Sequence, residues 1–256
     1  MDNLDIVQKL LTFINPLVEC APGEDDAKDN LYEFEEIQTN VAKIAHLLKC
    51  PDVPQQFAAI AKLKEAFEKG KIARMKITYP ALVWALYKLG SAMGETEEKT
   101  TGTGSAEEVV SQFKVFEYAY KVIEGITAQC PELALKLLLQ GILAMNQSGG
   151  IDEELEKIAF LYINQVLSLY QDELADSDMK YRAITLVIGT LENARLFSKE
   201  NFASVAKKTT QHCAKLLKKQ DQCKAILTCT HMFASESQVY FRATHYRLNK
   251  KVSTNV

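Results

Sequence analysis

Glycine and proline are scarce in this chain, with 11 Gly and 6 Pro among its 256 residues. An all-β chain needs a turn about every 8–12 residues, so this scarcity argues against strands joined by tight turns. An excess of one charge is also missing, because 30 Lys and Arg stand against 33 Asp and Glu. The resulting net charge of −3 disfavours a nucleic-acid binder that relies on bulk positive charge.

A membrane-spanning run and a secretory leader are not apparent either. The longest apolar stretch, Leu133 to Met145, is interrupted by Lys136 and Gln140 and falls short of the roughly 18–20 residues that a span requires. The first five residues are acidic, whereas a secretory signal begins with basic residues. The six cysteines stand apart in apolar surroundings, which predicts reduced core thiols. We therefore expect a soluble cytoplasmic protein.

What the chain does contain is helical periodicity almost throughout. Examples are the apolar sets Ile6, Leu10, Phe13, Leu17 and Leu155, Ile158, Tyr162, Val166, Leu169. Such spacing places the apolar side chains on one side of a helix with 3.6 residues per turn. No segment alternates long enough to predict a strand. The pattern predicts an all-α protein of about ten helices joined mostly by short connections.

Capping residues and prolines suggest where individual helices begin. Ser105 and Glu108 have the spacing of a capping box, and Asp52 precedes a second apolar run. Pro80 and Pro131 are expected in first helical turns, where the missing N–H of proline costs nothing. The last helix of the main body is expected to begin near Gln222.

Two segments are apolar nearly all round, Leu133–Met145 and Ala183–Leu191. A helix of this kind must be covered on several sides, and wide apolar faces recur when helix pairs stack on one another. With a pair length near ~40 residues, the pattern predicts an α-solenoid of antiparallel, HEAT-like helix pairs. Beyond it, Ser237–Asn249 is expected to form a short capping helix before a frayed end.

The motifs that would indicate an enzyme are missing. The sequence holds no phosphate-binding loop, dinucleotide fingerprint, His-Glu-x-x-His, Cys-x-x-Cys or Gly-x-Ser-x-Gly. We therefore assign no catalytic, cofactor or metal residue and expect a protein that is not an enzyme. A metal site remains an alternative at the late cluster of His212, Cys213, Cys223, Cys229 and His231. Buried thiols are favoured over it, because His212 and Cys213 diverge by about 100° on a helix.

A solenoid without catalytic spacing suggests a binding scaffold, which uses an extended surface. Aromatic and polar residues near the inferred helix ends are candidates for a partner interface. These candidates are Trp84, Tyr87, Lys88, Met145, Asn146 and Tyr170. Ordinary packing between helices explains each of them equally well.

Several strings, taken together and in order, carry a family resemblance. They are Thr78–Leu89, Leu135–Ala144, Ser168–Ser177, Ala183–Thr190, Cys213–Cys223 and Cys229–Phe233. The chain resembles the C-terminal portion of the large scaffold subunit of retromer, the vacuolar protein sorting-associated protein 35 family. The resemblance covers residues 1–233, and residues 234–256 form a divergent tail.

The resemblance implies a role in membrane traffic. In the family, this α-solenoid cradles a small subunit with a metallophosphoesterase fold, and the assembled coat recycles membrane cargo from endosomes to the Golgi and cell surface. Association with the endosomal membrane would then be indirect and peripheral. The Pro-Arg-Leu-Tyr-Leu motif that engages the arrestin-like subunit is absent from this sequence, so that interaction is not expected, nor is nucleic-acid binding. A helical adaptor of another transport system is the main alternative, and a helical metalloprotein is a weaker one.

Overall fold

The computed structural model describes residues 3–19, 28–69, 72–96, 110–147 and 153–233. Within these ranges the chain forms ten α-helices and no strand, as predicted. They are α1 (Asn3–Glu19), α2 (Lys28–Leu47), α3 (Val53–Glu68), α4 (Ile72–Thr96), α5 (Gln112–Thr127), α6 (Pro131–Gln147), α7 (Glu153–Asp172), α8 (Ser177–Asn193), α9 (Lys199–Ala214) and α10 (219–233).

Several helices begin at polar residues that bind exposed backbone N–H groups. The Ser111 hydroxyl accepts a hydrogen bond from the N–H of Lys114, and the side chains of Asp176 and Ser198 act in the same way at α8 and α9. Asp52 precedes α3, as predicted, although its side chain forms no capping bond. The capping box predicted at Ser105 lies outside the described residues.

The two proline predictions had different outcomes. Pro131 is the first residue of α6, as expected. The placement of Pro80 in a first turn is wrong, because α4 begins at Ile72 and Pro80 lies inside it. An internal proline costs a backbone hydrogen bond and typically ~3 kcal/mol. The turn that precedes it is held by burial, since Arg74 and Thr78 are buried and the Arg74 guanidinium lies 5.7 Å from the centre of the Phe34 ring on α2.

Residue contacts divide the chain into two compact units, 1–137 and 138–256. In the first unit, α1 packs against α2, and α3 packs against α4. Two of these helices also pack against the next but one, α1 against α3 and α2 against α4. Contacts of both kinds are what stacked helix pairs produce. The helix α5 covers a further side of α4, so α4 has neighbours on several sides.

The second unit repeats this arrangement. Helix α7 packs against α8, α8 packs against α9, and α7 also packs against α9. The predicted apolar stripe of α7 from Leu155 to Leu169 is buried, which confirms the periodicity there. Described by their own contacts, both units are stacks of packed helices. The all-α solenoid fold class is therefore confirmed.

A few predicted positions differ from the structure or lie outside the described residues. Phe13 was expected on the buried stripe of α1, but its side chain is 80% exposed, and Val7 and Ile14 are buried instead. The last described helix begins three residues earlier than the predicted Gln222. The capping helix predicted at Ser237–Asn249 lies outside the described residues, and the division at residue 233 stays a prediction. Within the described residues, every helix is too short or too polar to serve as a membrane span.

Candidate partner-binding surfaces

Helix α4 presents three large exposed residues along one side. Lys76, Trp84 and Lys88 are exposed, and their positions differ by multiples of four, so they follow one side of the helix. The Trp84 residue is 41% exposed, although buried residues flank it on both sides in the chain. We call Lys76, Trp84 and Lys88 the α4 stripe. It places an aromatic ring between two ammonium groups.

The electrostatics of the α4 stripe leave its positive charge available. Lys76 lies 3.9 Å from a Glu35 carboxylate oxygen, and both side chains are nearly half exposed. A solvent-exposed pair at this distance contributes little. Lys88 is exposed one turn after Trp84. An exposed tryptophan bordered by cations fits a partner surface that offers an apolar depression with acidic residues at its rim.

Tyr87 lies one turn after Trp84 on α4 and is buried in the core of the first unit. It is 1% exposed, its hydroxyl donates to the Leu137 carbonyl at 2.9 Å, and its ring centre lies 5.9 Å from that of Phe116. The Trp84 ring lies edge-on to the Tyr87 ring, with ring centres 6.3 Å apart. These contacts account for Tyr87 as a packing residue that supports Trp84 from behind.

Met145 and Asn146 occupy the end of α6. Met145 is 1% exposed. The Asn146 amide donates to the Asn193 carbonyl at 3.0 Å and accepts from the Arg195 N–H at 2.7 Å. Both partners lie where α8 ends, so Asn146 satisfies backbone groups that a helix end leaves unpaired. Its side chain therefore fixes the connection that follows α8.

Tyr170 forms the floor of a cavity of about 280 Å³ in the second unit. Tyr170 is itself 4% exposed. The His212 ring meets it edge-on, with centres 5.1 Å apart, and the Lys180 ammonium lies 5.8 Å from its ring centre. Lys215 and Leu217 also line the cavity. Among the described residues that line this cavity, none is acidic.

The charge of this cavity is reflected in its titratable groups. Burial lowers the pKa of His212, and the positive charges of Lys215 and Lys180 lower it further. His212 is therefore neutral at pH 7. Burial raises the pKa of Tyr170 to about 12, so its hydroxyl keeps its proton. The cavity combines two cations with neutral donors and suits an anionic group.

The late cysteine and histidine residues do not converge on one point. Cys213 and Cys229 are buried with their sulfurs 3.4 Å apart, Cys223 and His231 are exposed, and His212 packs on Tyr170. Within the described residues, no group of three His, Cys, Asp or Glu side chains is arranged to hold a metal ion. The described residues therefore offer no metal-binding centre that would support the metalloprotein alternative.

Of the six candidates from the sequence, Trp84 and Lys88 present side chains on the surface, Asn146 is half-buried, and the other three are buried. Whether any of them contacts a partner stays a prediction. The six interface candidates did not include Lys76, Lys180 or Lys215. For Lys76 a signal was present, since it lies two helical turns before Trp84, whereas Lys180 and Lys215 are neighbours only through the packing of α7, α8 and α9.

Comparison with known proteins shows to which family the chain belongs. The family model described as vacuolar protein sorting-associated protein 35 matches residues 1–255. The chain belongs to this family. Among curated relatives, vacuolar protein sorting-associated protein 35A of Arabidopsis thaliana is 34% identical over 226 residues, or 88% of this chain and 27% of the relative. Protein 35B of the same plant is 32% identical over 91% of this chain and 28% of the relative.

More distant members of the family extend the match. The vacuolar protein sorting-associated protein 35 of Dictyostelium discoideum is 26% identical over 200 residues, which is 77% of this chain and 25% of the relative. The chain itself thus spans about a quarter of the length of the curated relatives that it matches. The resemblance drawn from the ordered strings is confirmed.

Proposed function

We propose that the chain is a scaffold segment of the retromer coat, acting in protein sorting by binding and not by catalysis. The family match over residues 1–255 carries this proposal, and the packed helix pairs fit a scaffold, since stacked pairs expose long surfaces for partners. The partner is the small retromer subunit with a metallophosphoesterase fold. Attachment to endosomal membranes would be peripheral and would come through the assembled coat.

The α4 stripe is the contact surface that we propose for this partner. Its tryptophan packs edge-on against Tyr87, which in turn packs against Phe116, and a supported ring loses less side-chain freedom on binding than a free one. Residues of this type dominate the energetics of protein interfaces, where removing one anchor commonly costs ≥2 kcal/mol. Lys88 would add long-range attraction to an acidic rim, which affects the association rate and its salt dependence.

Co-precipitation with the metallophosphoesterase-fold subunit of the same organism tests the proposal. The chain should be retained, and Trp84→Ala should reduce retention strongly while Lys88→Glu makes it more sensitive to salt. Leu161→Ala and Lys207→Glu are matched controls. Leu161 is exposed to the same degree as Trp84, at 42% against 41%, and Lys207 is an exposed lysine on α9.

The outcomes separate the surface from the function. Retention that neither stripe variant changes would move the interface elsewhere and leave the partner in place. No retention of the unmodified chain at micromolar concentration would contradict the partner. In that case the alternative, a solenoid adaptor of another transport system, would gain support.

A further inference from the structure

The buried thiols of Cys213 and Cys229 form a close pair of reactive groups in the second unit. Cys213 lies on α9 and Cys229 on α10, and they are 0% and 1% exposed. Their sulfurs are 3.4 Å apart and share a hydrogen bond. A disulfide bond is about 2.05 Å long, so each sulfur has to move by less than 1 Å to form one. From this geometry we infer that Cys213 and Cys229 are a redox modification site, which hydrogen peroxide converts to an intramolecular disulfide that ties α10 to α9.

The electrostatics of the pair distinguish the two sulfurs. The hydrogen bond from Cys213 lowers the pKa of Cys229, and a hydrogen bond from Thr210 lowers it further, while burial works against both. The same contact with Cys229, together with burial, raises the pKa of Cys213. Because the thiolate is the nucleophile in such chemistry, Cys229 is the sulfur that reacts first.

The reaction balances in two steps. The Cys229 thiolate attacks one oxygen of hydrogen peroxide, the O–O bond breaks, and a sulfenic acid forms as hydroxide leaves. Cys213 then attacks the Cys229 sulfur, its thiol proton is taken up, and water leaves as the S–S bond forms. In total, two thiols and one peroxide give one disulfide and two waters. Two electrons pass from the sulfurs to the peroxide.

Burial sets the conditions for this reaction. Helix α10 is joined to α9 by the short connection 215–218, and the side of α10 opposite Cys229 carries the exposed residue Leu227. Peroxide reaches the pair when α10 separates briefly from α9, so oxidation is slower than at the exposed Cys223. Once formed, the disulfide limits that separation and stabilises the end of the second unit.

Peroxide treatment of the purified chain, followed by mass spectrometry without reduction, tests the inference. We expect a peptide pair joined through residues 213 and 229 and two fewer thiols available to iodoacetamide after denaturation. The melting temperature should rise, and dithiothreitol should restore it. Cys213→Ser and Cys229→Ser should each abolish the joined pair, whereas Cys223→Ser, which removes an exposed thiol on the same helix, should keep it.

Two results would overturn the inference. One is oxidation confined to Cys223, with residues 213 and 229 still reduced after prolonged exposure. The other is a disulfide involving Cys223 in place of the buried pair. Since a serine in the core can impair folding, Cys213→Ala serves as a second variant, and its circular dichroism spectrum shows whether the helices are intact before oxidation is scored.

Discussion

Replacement of Gly90 by alanine is a sharp test of the packing between α4 and α5. In a free helix this change is favourable by roughly 0.5–1 kcal/mol, because glycine loses more backbone entropy on folding. In this structure, a Cβ at position 90 would lie 2.8 Å from two ring atoms of Phe116. Real Cβ atoms do not approach other heavy atoms that closely, so either the ring or the helix has to move.

The ring has little room to move. Phe116 is fully buried, and the Tyr87 ring packs against it at 5.9 Å between centres. The Gly90 carbonyl also accepts a hydrogen bond from the buried Gln112 side chain at 2.7 Å, which ties the same turn of α4 to the start of α5. Overpacking of this kind typically costs ~1–3 kcal/mol. After the gain in helix propensity, we expect Gly90→Ala to lower the free energy of unfolding by about 1–2 kcal/mol.

Urea denaturation followed by fluorescence measures this change, because the one tryptophan of the chain, Trp84, lies on the same helix. Gly189→Ala is the matched control. A Cβ there meets nothing within 4 Å, so the same substitution inside α8 should raise stability by ~0.5–1 kcal/mol, as followed by circular dichroism. Adding Phe116→Leu should make Gly90→Ala less costly. Stability equal to or above that of the unmodified chain in Gly90→Ala would refute the close contact of α4 with α5.

Three further predictions follow from single contacts. Tyr87→Phe should lower the free energy of unfolding by ~1 kcal/mol, because it removes a buried hydrogen bond. Tyr79→Phe should leave that free energy unchanged or raise it, since the buried Tyr79 hydroxyl has no hydrogen-bond partner among the described residues. Equal losses in urea denaturation would contradict this. Asn146→Ala should lower the free energy of unfolding by ~1–2 kcal/mol, because it removes two hydrogen bonds to the backbone. In the same assay Gln147→Ala, which changes an exposed neighbour, should have almost no effect. Stability should fall between pH 10 and about 12, because the folded state raises the pKa of Tyr170 and that of Tyr79 to about 12 and the unfolded state releases those protons first. Tyr170→Phe should make this part of the pH profile less steep.

Helical periodicity was sufficient to predict the fold class because each helix buries one face. The α7 stripe from Leu155 to Leu169 is the clearest case, since its apolar spacing and its burial coincide. Pro80 shows where local rules fail. A proline normally marks a helix start, but here contacts of α4 with α2, α3 and α5 extend the helix eight residues before it. Tertiary packing thus outweighed a local signal.

The candidate surfaces were harder to predict, because exposure depends on how many neighbours a helix has. Trp84 and Tyr87 both lie off the apolar stripe formed by Leu82, Leu86 and Leu89, yet one is 41% exposed and the other 1%. The difference arises from α5, which covers the side of α4 that carries Tyr87. The cavity at Tyr170 likewise depends on Lys180 and His212, which are 32 positions apart in the chain and meet only after α8 and α9 pack on α7.

Calorimetric titration of the purified chain with the metallophosphoesterase-fold retromer subunit measures the proposed binding itself. We expect saturable binding of one subunit per chain, with a Kd in the micromolar range or tighter that Trp84→Ala weakens at least tenfold, which corresponds to about 1.4 kcal/mol. No binding heat at concentrations well above micromolar, with both proteins folded by circular dichroism, would contradict it.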